Sequence, residues 1–160
     1  MDGTENQKRA VRSIIHTSQK PEGVDFVTWE DCANVIFREV DKNPKIRITF
    51  TPGHNDNWYW SDIGTVSETR PSNDPTTKLA GLPDEYPPSE EHRGNVLHEF
   101  GHVLGLEHEH KSPNLTSFVE LNEQEVINHY GDERRARRQV LDRVRDPTNY
   151  TKFDKESIML

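Results

Sequence analysis

The stretch His98-Glu99-Phe100-Gly101-His102-Val103-Leu104-Gly105-Leu106-Glu107-His108 decides how this chain reads. It has the form H-E-x-x-H extended by x-x-G-x-x-H. On a helix, His98 and His102 stand four residues apart, so both imidazoles leave the same face one turn apart. Two nitrogens at that spacing can reach one zinc ion at about 2.0–2.1 Å each. Glu99 lies about 100° round the helix from His98, where it can hold a water on the metal without ligating it. Gly105 follows one turn later. Glycine takes positive φ and ends a helix abruptly, which lets His108 approach from another direction as a third ligand. Three protein ligands and an open fourth position make the catalytic arrangement, whereas a structural site is usually closed by four. The bare H-E-x-x-H occurs by chance on polar helices, where its histidines are simply solvated. The added glycine and third histidine favour the metal reading, as do Val96, Leu97, Phe100, Val103 and Leu104, which give the helix a core face.

The extended motif resembles the signature of the metzincin zinc endopeptidases. Metzincins also carry a Met-turn, and Asp154-Lys155-Glu156-Ser157-Ile158-Met159 resembles the form it takes in astacin-like members. Glu109, directly after the third histidine, matches the astacins, while Leu106 after the glycine is more like the matrixins. The likeness runs from Ile46 to Met159, tight at 98–108, intermediate at 154–159 and loose elsewhere. It implies an α+β zincin (metzincin) fold, with a twisted mixed sheet and an active-site helix above a small, mostly irregular C-terminal subdomain, and a cleft between. It also implies a zinc-dependent metalloendopeptidase acting on peptide or protein substrates. One catalytic Zn²⁺ would sit on His98, His102 and His108, with Glu99 as general base and Met159 packed beneath the ligands. The strand near 76–82 is, by the same likeness, the sheet edge above the cleft. That assigns substrate-backbone binding to Lys78, Leu79, Ala80, Gly81 and Leu82, since an exposed edge offers unpaired backbone groups.

Two departures from the family pattern set expectations. Many astacins carry disulfides, but Cys32 is the one cysteine here, so no intrachain bridge forms. It reads as a small buried residue on a helix rather than a latency ligand for zinc. Astacin-like enzymes place a tyrosine two residues after the Met-turn methionine, whereas Leu160 stands one residue after Met159. This departure fits either a domain cut short just past the Met-turn or a family member that functions without those parts; the first is expected here, with 154–160 mobile and turnover poor. The competing function is a zinc-binding module without turnover on a protease scaffold. Its usual mark is loss of the general base, and Glu99 is present.

Composition bounds the rest. The 160 residues suit one domain spanning 1–160. Charged residues make up 30% and hydrophobic ones 31%, so the core is lean. A net charge of −8 argues against nucleic acid and against an anionic membrane as partner, and no apolar run approaches the ~20 residues of a membrane span. The reading expects a monomer. Residues 1–8 are polar and unlike a signal peptide, although the family resemblance implies secretion.

Along the chain, 1–10 reads as a flexible tail, and Val11–His16 as a strand or a short helix. Thr28 looks like an N-cap with Asp31 three residues on, opening an amphipathic helix over 29–41. Ile46–Phe50 and Trp58–Thr65 read as strands, with the tryptophans packing in the sheet. Asp56, Asp62 and Asp74 lack the spacing of a calcium loop, so calcium has no support. The active-site helix starts near 91–94 and ends at Gly105, with Glu90 and Glu91 at its positive end. His110 carries no assigned role. Asn122 caps a helix over 123–130 ended by Gly131, and 132–146 reads as an arginine-rich helix whose charges face solvent. Asn114-Leu115-Thr116 and Asn149-Tyr150-Thr151 are glycosylation sequons.

Overall fold

The computed structural model describes residues 2–53, 58–113, 120–142 and 152–160. Both sequons, Asp56 and the stretch 143–146 of the expected arginine-rich helix lie outside them. The chain divides into two compact units, Met1–Leu106 and Glu107–Leu160.

The N-terminal unit opens with helix α1 (Glu5–Ile15). The Thr4 hydroxyl accepts from the Gln7 amide, and the Gln7 side chain accepts from the Thr4 amide at 3.0 Å, a complete capping box. Ala10, Val11, Ile14 and Ile15 are buried at helical spacing. The flexible tail expected over 1–10 is therefore corrected, and the open choice at 11–16 falls to helix. Polar residues fill the first two turns, but they form the outer face of a helix whose inner face enters the core. The end is tied as well: the Asp2 carboxylate accepts from the Phe50 amide and the Thr49 hydroxyl, each at 2.6 Å. The α1 residues pack with Phe50, Leu79, Leu82, Val96 and Phe100.

Thr28 caps helix α2 through the expected box with Asp31, but α2 spans only Trp29–Cys32. The helix expected to 41 is corrected. At Ala33 the backbone turns to an extended conformation, and the Glu30 carboxylate accepts from the amides of both Thr17 and Phe37, at 3.1 Å each. That bond holds 33–37 away from a helical path, and Val35, Ile36 and Val40 are weak helix formers. Cys32 is exposed, not buried. Trp29 still reaches the core side, donating from its indole to the Leu97 carbonyl at 2.8 Å.

The sheet has strands β1 (Ile48–Thr49), β2 (Tyr59–Ser61) and β3 (Thr77–Leu79) in the order β1-β3-β2. It is mixed, as expected: β1 runs parallel to β3 and β2 antiparallel to it. One expectation fails here. β3 is the central strand and is buried throughout, paired on both sides, so Lys78 and Leu79 offer no free edge, and Leu82 is in the core. Ala80 and Gly81 lie in the turn past the strand. Among the described strands the antiparallel edge is β2. The Asp62 amide bonds the Thr76 carbonyl at 2.8 Å, and Trp60 lies opposite Lys78. Facing pairs alternate in an antiparallel ladder, so Trp60 and Asp62 turn their backbone groups to β3. Tyr59 and Ser61 turn theirs outward. The strand expected to continue to Thr65 gives way to a 3₁₀ turn at Gly64–Thr69. Asp62 is engaged by the Arg70 guanidinium through both carboxylate oxygens.

In the C-terminal unit, α4 (Glu123–Tyr130) has the expected caps, with Asn122 accepting from the Glu125 amide and Gly131 at φ +64. Helix α5 (Glu133–Ala136) is capped by Asp132 and widens into a π turn over Arg137–Leu141. Arg137 pairs with Glu133 at 2.9 Å, as expected of a solvated charged face. The Met-turn is held rather than loose. Met159 is buried, its carbonyl accepts from the Glu109 amide at 2.8 Å, and the Glu109 carboxylate accepts from the Asp154 amide at 3.0 Å. Glu109 thus clasps the turn at both ends.

Candidate metal centre

Helix α3 (Glu90–Val103) carries the motif. Ser89 caps it by accepting from the His92 amide, and Glu90 and Glu91 occupy the first turn, where carboxylates favour the positive helix end. Val96 and Phe100 are fully buried and hold α3 against α1 and the sheet, with Phe37 packed edge-on to Phe100 at 5.3 Å between ring centres. This contact fixes the rotation of the helix, and so the direction of its polar stripe.

The helix ends as the glycine foretold. Gly105 has φ +96. Its amide bonds the His102 carbonyl at 2.8 Å, and the Leu106 amide bonds the Gly101 carbonyl at 3.0 Å. These two bonds form a Schellman motif, in which the left-handed residue reverses the chain. Gly64, also at positive φ, approaches this turn so closely that a Cβ on it would stand 3.3 Å from the Gly105 Cα.

Past that turn, His108 joins His98 and His102. One ring nitrogen of each lies within 4.8 Å of the others, so the three could hold a metal ion. The His98 and His102 rings stand nearly perpendicular, 4.8 Å apart. His102 Nδ1 is 2.8 Å from the Leu106 carbonyl oxygen. A carbonyl only accepts, so Nδ1 carries the proton and Nε2 keeps the lone pair a metal needs. His108 stacks on His110 at 5.0 Å. The Nε2 of His110 donates to the Gln139 carbonyl at 3.2 Å, which gives this extra histidine a hydrogen-bonding role the sequence had not suggested.

Glu99 is 5% exposed, and its Oε2 has no hydrogen-bond partner. Burial pushes its carboxyl up to about 8. The sequence reading missed the residues beside it. The Tyr59 hydroxyl lies 3.0 Å from His92 Nδ1 and also bonds the Asn95 side chain. The signal was present on α3 itself: His92, Asn95 and Glu99 recur at three- and four-residue spacing, which makes one helical stripe.

The family model of the astacin peptidases matches residues 88–160. A solved structure of myroilysin aligns with 99% of this chain and 73% of its own length, at 25% identity and a TM-score of 0.77. A crystal structure of myroilysin, at 24% identity, covers 99% of this chain and 66% of its own, with a TM-score of 0.64. Over residues 88–160 the chain is thus similar to the astacin peptidases, and over nearly its whole length to myroilysin. Its fold is the zincin α+β fold, and its class is that of the metallopeptidases, which take peptides or proteins as substrates. No curated protein matches it. Among the described residues, no helix is long and apolar enough to cross a membrane.

Proposed function

We propose that this chain is an astacin-like metzincin, a zinc-dependent endopeptidase whose 160 residues act as one catalytic domain. The observation that carries the reading is the convergence of three histidine nitrogens next to Glu99, whose Oε2 lacks any protein partner. Three imidazoles with no thiolate suit zinc with a position left for substrate. A buried carboxylate oxygen without a partner is costly unless a cation or a water meets it.

Zinc, when bound, supplies Lewis acidity at the scissile carbonyl and makes a water acidic enough to attack near neutral pH. The rest falls to the chain. His98, His102 and His108 would hold the ion, with His102 oriented by the Leu106 carbonyl. Glu99 accepts a proton from the attacking water as the C–O bond forms, and returns it to the amine nitrogen as the C–N bond breaks. Its burial keeps its proton affinity well above that of a surface carboxylate. Met159 supports the site by packing. Substrate main chain pairs with the outward backbone groups of Tyr59 and Ser61, because β2 is the antiparallel edge. This role replaces the one expected of 78–82.

The test uses metal analysis and a quenched peptide. The purified protein is expected to hold one zinc per chain and to cleave internally until a chelator is added. Glu99→Gln is expected to keep the zinc and lose at least ~10²-fold in turnover. A variant as fast as the parent would remove Glu99 from its role. A zinc-loaded parent that leaves a broad peptide library intact would favour the module without turnover.

A further inference from the structure

We propose that Tyr59 is a positioning residue, whose side chain pins the substrate-receiving edge strand to the metal-bearing helix through His92 and Asn95. This deepens the endopeptidase reading and rests on it.

Strand β2 is three residues long and has a strand partner on one side among the described residues. So short a ladder leaves its position along β3 weakly specified. Its two residues with outward main chain, Tyr59 and Ser61, send their side chains to the inner face, and each is tied there. The Ser61 hydroxyl bonds the Thr77 hydroxyl of β3 at 2.8 Å. The Tyr59 hydroxyl crosses to α3, 3.0 Å from His92 Nδ1, and bonds Asn95 as well. Tyr59 therefore offers its main chain to the substrate and its side chain to the helix.

His92, Asn95 and Glu99 share a stripe of α3, and the Glu99 charge is near enough to act on the Tyr59 hydroxyl. Pinning β2 at His92 and Asn95 thus sets the edge relative to the group that moves the proton. Geometry of this kind is costly to lose: a misplacement of about 1 Å can cost ~10²-fold in rate. The pin also stays intact over the working range. Burial pushes the phenol up to about 12, so it remains an O–H donor throughout. With the Asn95 amide donating to the phenol oxygen, the phenol O–H donates to His92 Nδ1.

The experiment compares the parent, Tyr59→Phe, His92→Ala and His92→Gln as full-length zinc-loaded chains on two quenched peptides. One peptide is long enough to lie along β2, and the other is too short to reach it. Tyr59→Phe and His92→Ala are expected to lower kcat on the long peptide by ~10-fold with little change in KM, and to exceed their loss on the short one by ~5-fold or more. Zinc content is expected to stay at the parent level. His92→Gln still offers an acceptor and is expected to recover most of the loss. An independent readout is amide hydrogen exchange at Trp60 and Asp62, the β2 positions whose backbone groups face β3, in metal-free protein, expected to quicken in the two disrupting variants while α3 amides do not. Parent-level turnover of the long peptide by Tyr59→Phe would overturn the proposal, as would equal losses on both peptides. A parent that cleaves neither peptide would sink the endopeptidase reading instead. Exchange alone would then judge the pin, and unchanged rates at Trp60 and Asp62 would refute it.

Discussion

Each of the two units of the chain is ordered by different means. Residues 2–106 close around an apolar cluster in which Val11, Ile14, Phe50, Leu79, Leu82, Val96 and Phe100 are buried to a few per cent exposure or less. Residues 107–160 bury only Ala136 and Met159 among their described apolar side chains. There the order comes from hydrogen bonds: the caps at Asn122 and Asp132, and the Glu109 clasp on the Met-turn. The contrast divides the labour of the site. The metal helix takes its orientation from packing, which is spread over many contacts. The Met-turn takes its place from a few polar groups, each of which matters singly.

Four changes would break or sharpen this contrast. The largest effect is expected from Phe100→Ala, which removes the residue joining α3 to α1 and Phe37. It is expected to cost about 3–5 kcal/mol in denaturant unfolding, and a loss below about 1 kcal/mol would mean the cluster does not anchor the helix. Glu109→Ala removes the acceptor for the Asp154 amide and is expected to cost about 1–3 kcal/mol. Faster amide exchange confined to 154–160 would identify the clasp, whereas a global change would count against it. Gly105→Ala forces a side chain into φ +96 at about 1–3 kcal/mol, and zinc affinity is expected to fall with it by equilibrium dialysis, because His108 follows that turn. The smallest effect is expected at alkaline pH. The folded state holds the Tyr59 proton more firmly than an ordinary phenol, so this stability is complete below about 10 and is lost as pH rises toward about 12. The melting midpoint of the parent is expected to fall more steeply over that window than that of Tyr59→Phe.

The same contrast explains what the sequence could be made to say. Helix α3 was legible because ligand spacing, an apolar stripe and a terminal glycine agree over the same residues. Helix α4 was legible through Asn122 and Gly131. The capping box of Thr4 and Gln7 was equally visible, but the polar residues around it outweighed it in the reading. The run Trp29, Cys32, Val35, Ile36 and Val40 fits a helix by spacing. What stops it is a carboxylate that bonds backbone amides on either side, a competition that spacing does not encode. The order of the strands was not legible either. Periodicity finds a strand but not its neighbours, so the central β3 was read as an edge. The contact of Tyr59 with His92 joins positions 33 residues apart, and neither residue announces the other.

Gly64 and Gly105 meet backbone to backbone. Heredity has no side chain to work with at that joint, and nothing there can be trimmed or enlarged by degrees. A lineage drifting through sequence space can redraw the exposed surface of the 3₁₀ turn at will, yet its first residue answers to a residue in another part of the chain. A lone change at Gly64 would put a methyl 3.3 Å from the Gly105 Cα, against the turn that carries His108 into place, so that turn would have to give by a few tenths of an ångström. The boundary of what this metal centre tolerates is drawn by two atoms it does not possess.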